Sequence, residues 1–334
     1  MSRLAERHPV SLFLLLTFTC SWTLWVASDV LSRTGENRPD AMWLVAQVGV
    51  FAPGLAALLV GSLARPAARR PAARILFSLY LPAILLGAVI ATRGFSDLSR
   101  VGAPWTFLAV LLAVAALAVL GRASSRVEPW PLEEVRAATV ARWTLGALLV
   151  PAAVLVAGFL LSHPGQGLRE IVPAAPVREL TALAVFEALG FNLVYGGSLG
   201  EELGWRGFLL PRLLRDRTPL GASLVVGFWW ALWHAPIDFV QGFVVAGFGG
   251  LLARQVWALP LAVLFTWVTV RAGGSLIPAI AFHTVINAVP DFALAAPARY
   301  EAALAAFFVV GLVLAVAVVA VDPVMLRRPD RDGV

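Results

Sequence analysis

The chain has 334 residues, of which 60% are hydrophobic and only 14% charged, against about 25% charged in an ordinary soluble domain. That composition excludes a disordered chain, and the single cysteine, Cys20, excludes a disulfide framework and a cysteine-based metal site. The net charge of +6 rests on arginine alone, for no lysine occurs, and arginines set between apolar runs indicate membrane topology rather than a nucleic-acid partner.

Ten apolar runs follow one another: 10–31, 41–64, 73–92, 104–121, 143–161, 180–199, 219–239, 255–270, 276–294 and 301–322. Each approaches or exceeds the roughly 20 residues that a helix needs to cross a bilayer, with 104–121 and 255–270 the shortest. The first run is too long for a cleaved signal peptide and contains Trp22 and Trp25. The expected fold class is therefore all-α, a polytopic membrane helix bundle of about 8–10 transmembrane helices. No gap between runs is long enough for a soluble domain, and no internal repeat stands out. The chain divides into 1–179, which carries no motif, a core at 180–295, and a last helix and tail at 296–334.

Arginine placement orients the bundle. With the N-terminus inside, 18 of the 26 arginines fall on the inner side and 8 on the outer, a positive-inside bias that puts both termini in the cytoplasm. In this reading 200–218 is an inner loop and Arg254 belongs to an outer one. Trp43, Trp105, Trp143 and Trp257, near helix ends, fit an interfacial belt. The lysine-free, alanine- and arginine-rich composition is that of a GC-rich bacterial genome, so the expected location is the bacterial inner membrane.

Charged and imidazole side chains within membrane segments cost a few kcal/mol each, so their distribution is informative. The first five runs have almost none. The second half holds Glu187, Glu201 and Glu202 with Arg206, His234 and Asp238, then His283, Asn287 and Asp291. Glu202 and Arg206 have the spacing of a same-face ion pair. Glu201, about 100° away around a helix, is left without an intrahelical cation, and an uncompensated carboxylate in poorly solvated surroundings suits a general base. A solvated juxtamembrane pair would explain the same residues. Gly196, Gly200 and Gly204 allow close helix packing. His234 ends Trp230-Ala-Leu-Trp-His, and His283 and Asn287 lie one turn apart on one helix face. Each element alone has a bland explanation in packing or an interhelical hydrogen bond. Together, on three helices, they imply a shared site.

Glu-Glu-x-x-x-Arg, an aromatic four residues before His, and His-x-x-x-Asn, in that order on membrane helices, resemble the CPBP family of intramembrane proteases. That family includes the CAAX prenyl endopeptidases and the bacterial lysostaphin-resistance and bacteriocin-immunity proteins. The resemblance covers about 195–290, with one departure: Trp230 stands where the family commonly has Phe. It implies an intramembrane endopeptidase acting on a membrane-associated protein or peptide. By this resemblance Glu201 activates the hydrolytic water and His234 shares it. His283 and Asn287 hold the oxyanion, and Glu202 and Arg206 form the supporting pair. A base, a positioned water and oxyanion donors are also what peptide hydrolysis requires without a serine or cysteine nucleophile. Glu201, His234 and His283 are equally an acceptable ligand set for a divalent metal such as Zn2+, although no His-Glu-x-x-His is present. Metal-bound and metal-free water both stay open.

Asp238, four residues after His234, could orient its ring or sit at a wet helix end. Glu187 shares a face with Glu201 some 21 Å away if the helix is continuous, a distance for cavity lining rather than catalysis. The alternatives from other classes are a proton-coupled transporter using Glu187, Glu201 and His283, and a non-catalytic scaffold or immunity protein. A first half nearly free of polar residues argues against the transporter. The geometric expectation is that the helices bearing Glu201, His234 and His283 are mutual neighbours around a polar cavity open to the cytoplasm. His234, about fifteen residues into a helix starting near 219, then lies some 20 Å deeper than a Glu201 placed in a loop.

Overall fold

The computed structural model describes residues 2–33, 48–64, 137–162, 189, 192–193, 197–240, 247–293 and 297–328. The expected helices 73–92 and 104–121, most of 180–199, and Glu187 lie outside them. Helices α1 (Ser2–Arg7), α2 (Pro9–Arg33), α3 (Ala52–Ala64) and α4 (Ala137–Ser162) come from the motif-free half. Then follow α5 (Ser198–Gly204), a π-helical segment (Trp205–Leu209), α6 (Leu210–Leu213), α7 (Pro219–Trp233) and α8 (Ala235–Val240). Helices α9 (Phe248–Arg271), α10 (Ile277–Ala293) and α11 (Pro297–Val321) complete the chain. The described residues are helices and short connections with no strand, as expected of a polytopic helical membrane bundle. Among them the stretches Pro9–Val30, Ala137–Val154 and Phe248–Arg271 are long and apolar enough to cross a membrane, and α3 and α7 are shorter apolar helices.

Three boundaries differ from expectation, and each difference has an electrostatic or backbone cause. The stretch 200–218, expected as a loop, is mostly helix: α5, the π-helical segment and α6 run on from Ser198 to Leu213, and Glu202 and Arg206 neutralise each other within it. The run 219–239 is broken at His234, because Pro236 has no N–H to continue the backbone ladder and instead occupies the first turn of α8. Helix α9 starts at Phe248 rather than 255 because Arg254, expected in an outer loop, is buried and paired with Asp238. The tryptophans counted as interfacial divide similarly. Trp143 packs edge-on against Trp267 at 4.8 Å, and Trp257 faces Trp230 at 6.0 Å, while Trp43 and Trp105 lie outside the described residues.

Helix α7 packs along α9, α4 against α10 and α11, and α3 against both α2 and α5. The centre is aromatic. Phe13 of α2 stacks on Phe208 at 4.9 Å and meets Trp205 edge-on at 5.6 Å, and Trp25 touches Trp233 at 4.7 Å. A polar chain fixes the end of α7 within this cluster. The Trp22 indole N–H donates to the Trp233 carbonyl, the Trp233 indole N–H donates to Ser21 Oγ, and Ser21 donates to the Gly49 carbonyl. The last carbonyls of a helix lack intrahelical partners, so Trp22 satisfies a group left over where α7 stops. The motif-free half thereby braces the motif-bearing one. At the far end of α9, Arg271 and Trp267 both donate to the Asp322 carboxylate, tying α9 to the segment after α11.

The expected close packing at the glycine repeat is present for Gly204, whose missing Cβ would lie 2.5 Å from Pro53 Cβ and 2.7 Å from its carbonyl carbon. Backbone cannot yield as a side chain can. Gly204→Ala should therefore push α5 off α3 and destabilise the protein by about 1–3 kcal/mol, as overpacking does. A thermal melt of the purified protein checks this, and an unchanged melting temperature contradicts the packing.

Candidate active site

The chain reverses between α6 and α7, and this helical hairpin sets the level of the site. From Glu201 it runs forward to Leu213, turns, and returns along α7 to Trp230 and His234. Glu201 and Trp230 are each about twelve residues from the turn, roughly 18 Å of helix, so they meet side by side. The separation expected between His234 and a loop-borne Glu201 is not seen, because Glu201 lies on a helix and bonds Trp230, one turn before His234. Thr218 caps α7 by accepting from the Gly221 N–H at 3.1 Å, and Pro219 occupies the first helical position.

Helix α5 begins at Gly197, whose φ of +89° is left-handed. A Cβ there would lie 2.5 Å from Glu201 Oε1 and 2.4 Å from Val50 Cγ1, so both the backbone and the carboxylate require glycine. Glu201 is buried, and its Oε2 accepts from the Trp230 indole N–H at 2.6 Å. Glu202 is fully buried and faces another way. Its Oε1 accepts from Arg206 Nη1 at 2.9 Å and from His283 Nδ1 at 2.8 Å. The ion pair that the i, i+4 spacing predicts is therefore present, and it reaches across to α10 as well. The Arg206 guanidinium, on the π-helical segment, lies over Phe265 at 4.3 Å and Trp230 at 4.9 Å from the ring centroids. Its Nε and Nη2, and Glu202 Oε2, have no hydrogen-bond partner among the described residues.

His234 is the C-cap of α7, and its Nδ1 lies 2.9 Å from the Trp230 carbonyl. A carbonyl only accepts, so Nδ1 carries the proton and the neutral ring presents Nε2 as its lone-pair nitrogen. Asp238 does not orient His234, as the sequence suggested it could. Its carboxylate takes both Nε and Nη2 of Arg254, the shortest contact being 2.8 Å. His283 packs against Trp230 at 5.7 Å and Phe265 at 5.5 Å, and Asn287 follows one turn later, half-buried.

The site thus brings Glu201, Glu202, Arg206, His234 and His283 around one indole ring, that of Trp230. Its walls differ from the expected three neighbouring helices. Helix α9 packs against both α7 and α10 and inserts Phe265 between Trp230 and His283. Sequence reading treated Trp230 only as the aromatic preceding His234, placed Arg254 in an outer loop and assigned nothing to Phe265. Arg254 was detectable as a charge in an apolar run, whereas Phe265 has no signal that separates it from other core phenylalanines. Among the described residues no three His, Cys, Asp or Glu side chains, including the set Glu201, His234 and His283, are spaced to hold a metal ion.

Residues 183–289 match the model for type II CAAX prenyl endopeptidase Rce1-like proteins. Over 95 residues the chain is 33% identical to the CAAX prenyl protease 2 of Methanococcus maripaludis, covering 26% of this chain and 34% of that protein. The chain thus spans about a third of the length of this curated relative.

Proposed function

We propose that the protein is an intramembrane endopeptidase that hydrolyses a peptide bond of a membrane-associated protein or peptide, a reading supported by the match of residues 183–289 to type II CAAX prenyl endopeptidase Rce1-like proteins. The observation that carries the reading is the convergence of one unpaired-for-cation carboxylate, Glu201, and two imidazoles on the same buried indole. A water between Glu201 and His234 Nε2 gives one proton to Glu201 as its oxygen attacks the scissile carbonyl carbon. His234 fixes the direction of the attacking lone pair. Negative charge then gathers on the carbonyl oxygen, where His283 and Asn287 are the donors. His283 Nδ1 is engaged by Glu202, so Nε2 is the ring nitrogen left to face the oxyanion. As the C–N bond breaks, protonated Glu201 returns its proton to the leaving nitrogen. The attacking oxygen's remaining proton then passes to the amine, so the products are a carboxylate and an ammonium, and Glu201 is regenerated as its carboxylate.

This route uses protein-held water throughout. The three donors suggested as metal ligands are not at ligand spacing here, and no step passes through a metal. The bilayer is the expected surroundings, with the membrane-anchored part of the substrate lying in lipid beside the bundle. Both termini are expected on the cytoplasmic side on the arginine distribution, which also places the turn between α6 and α7 there.

The test is cleavage by the full chain in liposomes. The substrates would be peptides carrying a farnesylated CAAX end, a plain acyl anchor or a transmembrane segment, with products identified by mass spectrometry. Cleavage of any of the three that persists in the presence of a chelator supports the reading. Proton-driven solute uptake with no cleavage would replace it with the transporter.

A further inference from the structure

We propose that the indole N–H of Trp230 is a positioning group for Glu201: it holds one carboxylate oxygen so that the other is presented to the water. The inference rests on the proposed hydrolytic function. Trp230 Nε1 lies 2.6 Å from Glu201 Oε2, and both residues are buried, so bulk solvent does not compete for this bond. A carboxylate rotates about its last side-chain bond unless one oxygen is held, and no donor in its own helix does this for Glu201. Trp230 is held in turn. Its ring packs edge-on against Phe265 at 5.8 Å and faces Trp257 at 6.0 Å, with the Arg206 guanidinium over it. Its backbone carbonyl accepts from His234 Nδ1 and thereby selects the His234 tautomer with Nε2 free of a proton. One residue thus orients both groups assigned to the water, the imidazole through its main chain and the carboxylate through its side chain. Only the second contribution depends on side-chain identity, because any residue at this position retains the carbonyl. A phenylalanine would fill nearly the same space and donate nothing.

The side-chain bond is therefore separable from the packing. Trp230→Phe removes the donor together with one ring. Benzothienylalanine at position 230, introduced by stop-codon suppression, replaces only the N–H with sulfur and keeps the bicyclic shape, so it tests the bond even if the phenylalanine protein folds poorly. A hydrogen bond to a charged group is strong enough that its loss should lower kcat about 10- to 100-fold, with KM within about twofold because no substrate contact is lost. The acid limb of the kcat/KM pH profile, which reports the free enzyme's base, should also move. A residue that merely fills space would leave that limb in place. Wild-type kcat and an unmoved limb in the benzothienylalanine protein overturn the inference. Measured alongside, Glu201→Gln separates the two levels of the proposal. If it is inactive while the benzothienylalanine protein is normal, only the role of Trp230 fails. If it cleaves at the wild-type rate, the hydrolytic reading fails and the role of Trp230 fails with it.

Discussion

Glu201→Gln should fold, insert and melt like the wild type, yet cleave an anchored peptide about 10²–10⁴-fold more slowly, the range attributed to a general base. The substitution keeps the shape of the side chain, and its amide oxygen still accepts the Trp230 N–H that now meets Glu201 Oε2 at 2.6 Å. The neighbouring Glu202–Arg206–His283 cluster uses the other carboxylate and should be undisturbed. Only the capacity to take a proton from water is removed. Comparing initial cleavage rates in liposomes with thermal melts of the same preparations separates chemistry from folding. Equal rates for the two proteins would end the assignment of Glu201 as base.

Glu202→Gln should fail in a different way, through stability. Glu202 Oε1 is the shared acceptor of Arg206 and His283, and Arg206 is buried, with two of its nitrogens lacking a partner among the described residues. Breaking a buried ion pair from one side leaves the other charge without compensation, which costs about 3–5 kcal/mol. Glutamine keeps one acceptor oxygen, so the loss should fall toward the lower end of that range. Adding Arg206→Met removes the orphaned cation and should restore much of the stability without restoring cleavage, because His283 still lacks its carboxylate. A double variant no more stable than Glu202→Gln alone would show that the pair is not the stabilising unit described.

Much of the fold was legible because burial in lipid leaves a long apolar signature. Helices α2, α4, α10 and α11 lie close to the runs that hydropathy marks. Hydropathy misplaces what depends on pairing. It treats Glu201, Glu202 and Arg206 as charges that must sit in water, and so reads 200–218 as a loop, although mutual neutralisation keeps that helix buried. The same reasoning shortened α9, whose Arg254 is paired with Asp238 from α8 across sixteen residues. The break at His234 did have a local signal in Pro236, hidden by the apolar residues around it. The site residues themselves were legible as costly side chains concentrated in one half of the chain. Their connections were not, since whether an indole donates to a carboxylate or only packs beneath a histidine depends on ring orientation. That orientation is set by Phe265 and Trp257 from another helix.

The glycines illustrate the same division. Their spacing announced a close helix approach, and Gly204 against Pro53 supplies it. Nothing in the spacing announced that Gly197 would instead be required by its left-handed φ and by the space that the Glu201 carboxylate occupies.

An experimental density map of the wild-type protein in lipid, at a resolution that shows ordered water, examines the shared water directly. The mechanism predicts one water oxygen within about 3.2 Å of both a Glu201 carboxylate oxygen and His234 Nε2. Glu201 and His234 more than about 10 Å apart in a closed, folded molecule, with no water common to both, would contradict it.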